Sequence, residues 1–524
     1  MDRMVSRMCG VWQWALRPRS VYAIGVLLFI WLAALAWMRP LHIPDEGRYV
    51  GVAWDMMRFE SPWIPLLNGL PYFHKPPLFY WLTDLSFHLF GAHEWAARFP
   101  SLLSAWLTAM AMFLFVRRHR GAETGLVTLI VMSSTLYYFG AAEYANLDML
   151  VAAMITLTIL AGAEAVSRQT QQEKGALGFA ILTGVLAALG VLAKGLIGVV
   201  LPGAILFFWL LWTRRYQGFR VLLNWPVWVA FLIVVLPWFI VMAIEVPGFL
   251  HYFFIYQHFE RYLTTGFNQQ QPFWFYFPVI LGLCMPWTLW LIRYIWQRGP
   301  MQFDRAWHGL MLIWIVIIVL FFSLPASKLI GYAVPVVPAL SVLIAEAIVA
   351  CLHGSRTQRD LRAFAITAMA GFAMCLIALI AFMFANNHSS KEPVAVFKSQ
   401  IQAEDQFVYL DVYPFDLAFY TGHPNPAWVI FPWSHLPAGD TWRNELHEAA
   451  EFSPMLGGGT LIEPAQLLPL LCQSGDRTYW LTGEPHEVNG REWLANLEPI
   501  AKKRNGQLFW KLPVEEDFRT QWCS

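Results

Sequence analysis

Apolar runs long enough to cross a bilayer recur through the first 385 residues, and this repetition limits the fold more than any other feature. A spanning helix needs about 20 predominantly apolar residues. About eleven runs approach that length. They lie at 21–38, 99–116, 124–141, 147–166, 176–193, 196–212, 225–244, 273–294, 307–324, 329–350 and 364–385. A looser reading would raise the number to about 13. Backbone polar groups in lipid must be bonded within the spanning structure, so runs of this length are expected to be helices. The expected fold is therefore an α-helical polytopic membrane protein. Only 14% of the residues are charged and 57% are hydrophobic, whereas soluble chains carry about 25% charge. A net charge of +1 leaves no basic face for nucleic acid. No cysteine pair has the spacing of a zinc knuckle or redox motif.

Loop charge orients the spans. Cytoplasmic loops carry excess Lys and Arg. The N-terminus holds Arg3, Arg7, Arg17 and Arg19, so it is expected inside, followed by an uncleaved first span. Alternating from there, the inside loops are "RRHRGAE", "SRQTQQEK", "TRRYQGFR", "RYIWQRGPMQFDR" and "HGSRTQRDLR", all basic. Two outside loops are long, 39–98 and 245–272. The first contains a shorter amphipathic run, 78–90, suited to the interface. Asp45, Glu46, Arg48, Lys75, Glu143, Asp148, Lys194, Arg261 and Lys328 then gather on the outer side. Ionisable groups at membrane depth are costly and usually face one another or a cavity. The cluster implies a cavity opening outward.

Residues 1–385 thus read as a transmembrane domain, and 386–524 as a second, periplasmic domain. In the latter, "DQFVYLDV", "PAWVIF", "RTYWLT" and "GQLFWKLP" read as strands, while "WRNELHEAAEF" and "EPAQLLPLL" read as helices, giving an α/β or α+β unit. Cys472 and Cys523 would sit in an oxidising compartment there and could pair.

Five outer-face stretches carry the chemistry. In "HIPDEGRYVG", Pro44 forbids helix upstream and Asp45 can cap the helix that follows, with Arg48 a potential i+3 partner. In "YFHKPP", two prolines stiffen the turn that aims Lys75 and follows His74. A fixed Lys beside an Arg suits a phosphate. "EYANLD" places Glu143 and Asp148 about one tight turn. In "YQHFERY", His258 and Arg261 share a helix face, and in "SKLIGY" Lys328 and Tyr332 are expected to do so at i, i+4. Each has a plainer reading as a solvated loop, a snorkelling Lys or a packed His. Their convergence from separate loops favours a site. No Walker or Rossmann glycine pattern is present, so no nucleotide cofactor is expected. An anionic donor would have to arrive in the bilayer, and a sugar on a polyprenyl phosphate fits. A carboxylate would deprotonate the acceptor hydroxyl, and the cations would stabilise the leaving phosphate.

"DEGRY", "YFHKPP", "NLD", "HFERY…QPFWFYFP…MPW" and "KLIGYAVPVVPAL" resemble, in order over about residues 43–340, membrane glycosyltransferases of the GT-C fold. The closest resemblance is to the 4-amino-4-deoxy-L-arabinose:lipid A transferases and relatives that include protein O-mannosyltransferases. It implies that Asp45 is the catalytic base and Asp148 a supporting carboxylate. It implies that Arg48, Lys75 and Tyr332 hold the carrier phosphate, with Lys328 and Arg261 nearby. Glu46, Glu143 and Lys194 are further outer-face candidates. His74 stands where the family usually has Glu, and that Glu is linked, with the residue matching His258, to a divalent metal such as zinc. "DEGRY" also departs from the "DETRY" of the arabinose transferases.

The expected activity is inverting transfer of a hexosyl or pentosyl group from a polyprenyl-phosphate donor to lipid A or another envelope glycan, on the periplasmic face of a bacterial inner membrane. A protein O-mannosyltransferase would use the same chemistry on Ser or Thr. A lipid-linked sugar transporter or flippase would spread its charges through mid-membrane. A non-catalytic envelope scaffold would make the charge cluster incidental.

Overall fold

The computed structural model describes residues 13, 15–260, 270–298, 303–355, 358–385, 388–437, 439, 441–473 and 475–523, with side chains placed to 256 in the second of these segments. The apolar runs are helical, and the chain is an integral membrane protein. The helices are α1 (Ser20–Leu32), α2 (Asp45–Arg58), α3 (Leu78–Phe90), α4 (Glu94–Arg120), α5 (Ala122–Ser133), α6 (Leu136–Ala142), α7 (Leu147–Thr170), α8 (Ala176–Lys194), α9 (Ile197–Thr213) and α10 (Trp225–Glu245). Then follow α11 (Tyr276–Leu283), α12 (Leu289–Arg298), α13 (Trp307–Ser323), α14 (Val337–Ser355) and α15 (Gln358–Ala385). Among the described residues six helices are long and apolar enough to cross a membrane, or seven if one bent pair counts as a single span. Helices α1, α9 and α13 are apolar but shorter.

Several expected spans are therefore broken, for local reasons. The run at 124–141 divides into α5 and α6, bent by 67°. At the break, Ser134 Oγ donates to Ile130 O at 2.5 Å and Thr135 Oγ1 to Val131 O at 2.6 Å. Hydroxyls that bond back to the i−4 carbonyl compete with the helix ladder and often accompany a bend, although Thr158 makes the same bond within unbroken α7. The run at 273–294 divides into α11 and α12 around Pro286, which has no N–H to continue the ladder. The run at 329–350 begins as a 3-10 turn, Ile330–Val336, before α14. Lys328 and Tyr332 consequently do not share an α-helical face.

The loop at 39–98 is built, not slack. Its α2 buries Val50, Ala53 and Met56, and α3 buries Phe79, Tyr80, Thr83 and Phe87. Strands β1 (Leu66–Leu67) and β2 (Leu70–Pro71) form a hairpin closed by Asn68 and Gly69, both at positive φ. That is the backbone a two-residue hairpin turn of matching twist requires.

The expected strands are present at the C-terminal end: β3 (Gln406–Leu410), β4 (Trp428–Ile430), β6 (Arg477–Gly483) and β8 (Leu508–Val514), with short β5 (Leu461–Ile462) and β7 (Ala501–Lys502). The sheet order is β5-β4-β3-β6-β8-β7. β3 pairs in parallel with β4 and β6, and β8 is antiparallel to β6. Helices α16 (Trp442–Glu451), α17 (Pro464–Gln473) and α18 (Glu516–Trp522) accompany it. A Cys472–Cys523 disulfide ties α17 to the residue after α18.

This C-terminal unit rests on α2. Gly47 and Gly51 are one turn apart, and the Phe415 backbone lies against them. A Cβ at Gly51 would meet Phe415 O at 3.0 Å, and one at Gly47 would meet Phe415 Cβ at 3.0 Å. Gly47 is the residue that separates "DEGRY" from "DETRY", and a side chain there would first meet Ile43 Cδ1 and then Phe415 Cβ. Asn68 clamps Ala427 with two reciprocal bonds of 2.9 and 2.8 Å, and Tyr420 Oη accepts from Leu41 N at 2.8 Å.

Candidate active site

Helix α2 begins at Asp45, with Pro44 in the capping position and no side-chain cap. Asp45 is therefore the first helical residue, not the cap, and Arg48 is not its ion-pair partner. The Asp45 side chain makes no hydrogen bond or ion pair among the described residues. It is solvent-exposed. Desolvation pushes its carboxyl above the usual aspartate range, Arg48 draws it back, and Asp148 adds to the rise.

Glu46, the next residue, is fully buried. Arg39 Nη1 and Nη2 donate to it at 2.5 and 3.1 Å. Arg98 Nε and Nη2 donate at 2.9 and 3.0 Å. The His42 and Ala145 backbone amides add bonds of 2.9 and 2.8 Å. Burial alone would raise this carboxyl, but the two guanidiniums hold it well below the usual range. Glu46 is thus a structural knot joining the 39–98 loop, α4 and the "EYANLD" turn. Arg98 also caps the carbonyls of Ala36, Arg39 and Pro40 at 2.6, 2.9 and 3.0 Å. Neither Arg39 nor Arg98 was singled out from the sequence, although each is an arginine beside an apolar run.

Asp148 follows the helix cap Asn146, whose Oδ1 accepts from the Asp148 amide at 3.0 Å. Its carboxylate pairs with Lys194 at the end of α8. The Lys194 ammonium lies 4.4 Å from the centroid of the Tyr332 ring. A Cβ at Gly331 would collide with the Asp148 carboxylate, so glycine is needed there. Four separate segments thus bring Asp45, Asp148, Lys194 and Tyr332 into one neighbourhood.

The remaining candidates divide. Glu143 is fully buried, accepting from Leu35 N at 3.3 Å, and burial pushes its carboxyl up to about 7. Lys328 is buried and donates to Gln271 O at 2.9 Å and Pro325 O at 2.5 Å. Lys75 is half-buried in the turn before α3. His74 is buried with Nε2 at 3.3 Å from Glu448 Oε2. The His258 side chain and Arg261 lie outside the described residues. Among the described residues no three His, Cys, Asp or Glu side chains converge as a metal site would need. His74 and Glu448 supply two donors where zinc takes three or four from protein.

Two acidic residues that sequence reasoning passed over enter from α16. Glu445 Oε2 lies 3.2 Å from Arg48 Nε. Glu448 accepts from Tyr252 Oη at 2.5 Å and Tyr256 Oη at 3.1 Å.

Residues 74–241 match the profile of the family described as dolichyl-phosphate-mannose-protein mannosyltransferase. An undecaprenyl phosphate-alpha-4-amino-4-deoxy-L-arabinose arabinosyl transferase of Pseudomonas savastanoi pv. phaseolicola is 30% identical over 392 residues, covering 72% of this chain and 69% of that protein. The same-named protein of Erwinia tasmaniensis is 31% identical over 337 residues, covering 62% of this chain and 59% of its own length. The match to the transferase 2 of Pseudomonas fluorescens covers 65% of that protein, so the chain spans less than two thirds of the length of the Erwinia and Pseudomonas fluorescens relatives. In three dimensions the chain superposes on ArnT from Cupriavidus metallidurans bound to undecaprenyl phosphate, with a TM-score of 0.77, 22% identity, and coverage of 93% of this chain and 97% of that one. The fold is that GT-C fold.

Proposed function

Since the chain belongs to the undecaprenyl-phosphate aminoarabinose arabinosyl transferase family, we propose that it transfers a sugar from an undecaprenyl-phosphate donor to lipid A or a related envelope glycan. The sugar is read as the pentose 4-amino-4-deoxy-L-arabinose on the strength of that membership. The observation carrying the reading is the exposed Asp45 carboxylate, which makes no hydrogen bond or ion pair among the described residues, lies within the electrostatic reach of Asp148, and shares its helix with Arg48. Asp45 takes the proton of the acceptor hydroxyl as its oxygen attacks the anomeric carbon. The bond from that carbon to the phosphate oxygen breaks, and its electron pair leaves with the phosphate, inverting the centre. Arg48, Lys75 and Tyr332 receive the phosphate, and preorganised cations there lower the barrier. Asp148 positions Lys194. Lys328 is engaged with carbonyls and is left out. No step is routed through a metal.

Eleven spans remain our reading of the membrane part, the broken runs each counting once. Basic loops favour a cytoplasmic N-terminus in a bacterial inner membrane. The Cys472–Cys523 disulfide supports a C-terminal unit in an oxidising, periplasmic compartment. A protein O-mannosyltransferase activity is a second reading, favoured by the family profile over 74–241. The two share the reaction type and differ in the sugar moved and in the acceptor.

Mass spectrometry of envelope lipids and glycoproteins from cells with and without the protein tests this. Loss of one pentose-sized mass from lipid A, restored on re-expression, is the expected result. A shift confined to protein would replace the acceptor, and no shift in any fraction with donor present would overturn the transferase reading.

A further inference from the structure

The arginine assigned to the donor phosphate is held by residues from the far end of the chain. Phe415 places its ring centroid 5.0 Å from the Arg48 guanidinium carbon. Glu445, on α16, brings Oε2 to 3.2 Å from Arg48 Nε. The Glu445 side chain is 5% exposed whereas that of Arg48 keeps 21%. The pair is closed on the carboxylate side and open on the arginine side.

Helix α16 is itself fixed against the membrane part. One turn beyond Glu445, Glu448 takes the hydroxyls of Tyr252 and Tyr256 and faces His74. Just past the helix, the Phe452 ring packs edge-on against Phe73 and Tyr252, at 4.8 and 5.1 Å between centroids. Glu445 is therefore delivered by a helix anchored at several points, not by a mobile cap.

We propose that Glu445 is a positioning residue of the donor site, orienting Arg48 so that its open edge meets the donor phosphate. This rests on the donor-phosphate reading of Arg48 given above. A free arginine side chain carries substantial rotamer entropy, lost on binding unless it is ordered beforehand. A planar guanidinium recognises phosphate through directed N–H groups, so its orientation governs affinity. A nearly buried carboxylate needs that cation in turn, which keeps the pair together between turnovers. The C-terminal unit is then a working wall of the site, through one carboxylate on α16.

The test measures binding of undecaprenyl phosphate to the purified full-length protein in nanodiscs, with steady-state transfer rates. Wild type, Arg48→Ala, Glu445→Gln and the double variant are compared. Glu445→Gln should weaken binding and raise donor KM about tenfold, with kcat at saturating donor changed less than about twofold. Adding Glu445→Gln to Arg48→Ala should cost nothing further, because the two act through one contact. If Glu445→Gln does not fold, Glu445→Asp shortens the reach and should show the same KM effect. Unchanged affinity in the Glu445 variant, or additive losses in the double, would overturn the positioning role alone. Wild type that fails to bind the lipid phosphate, or Arg48→Ala that binds it normally, would overturn the donor reading and this inference with it.

Discussion

Asp45 and Glu46 are consecutive on α2, and the structure treats their carboxylates in opposite ways. Glu46 accepts six hydrogen bonds from Arg39, Arg98 and two backbone amides and is fully buried. Asp45 accepts none among the described residues and faces open space. Successive helical positions point roughly 100° apart, so Glu46 faces the protein and Asp45 the solvent. A saturated charge has nothing left to offer a substrate and serves as scaffold. An unsaturated one, held in partly desolvated surroundings, keeps a lone pair for a proton.

The contrast breaks if Asp45 turns out to be dispensable. Asp45→Asn should lower the transfer rate by about 10²–10⁴-fold, the usual contribution of a general base, without moving the melting temperature in detergent. Near-normal rates would remove Asp45 from the mechanism. On the other side, Glu46→Ala leaves two buried arginines unpaired and should destabilise the fold by about 3–5 kcal/mol. Thermal unfolding would read this directly, and an unshifted melt would end the scaffold assignment. A smaller effect sharpens the picture at Glu143. Its folded pKa of about 7 exceeds the ordinary value of 4.5. Between those values the unfolded chain has released a proton that the folded protein keeps, so stability should fall as pH rises through this window. The loss is at most about 3 kcal/mol. Glu143→Gln should flatten that slope, and a slope that persists would assign it to another group.

Much of the architecture was legible because membrane burial writes itself into composition. Long apolar runs, basic loops and alternating strands near the C-terminus all reflect local rules of periodicity and charge. The breaks were harder to see. Ser134 and Thr135 lie inside an apolar run, and whether a hydroxyl bonds back to the ladder depends on the neighbours that accept the bend. Helix α2 was visible from "PDEGRY", but its exact start was not, and that start moved Asp45 from cap to first helical residue.

The candidate site divides along the same line. Asp45, Arg48, Asp148 and Lys194 stood out because charge at membrane depth is expensive and therefore informative. Their roles did not stand out. A carboxylate's role depends on how many donors reach it, and for Glu46 these come from α4 and the turn before α7. That two backbone carbonyls engage two of the three N–H groups of Lys328 was likewise not written in its surroundings in the sequence. Glu445 and Glu448 gave no signal at all, since acidic residues on an amphipathic soluble helix are ordinary.

By itself, then, the sequence determined that this chain crosses a membrane many times, which residues are costly to place there, and that strands and helices follow toward its C-terminal end. Those properties are set by each segment's own exchange with lipid or water. Tertiary structure alone decided which charges are neutralised by partners and which stay open, and that Arg48 is gripped from α16. Pairing is a property of distances between segments remote in the chain, and no local pattern encodes it.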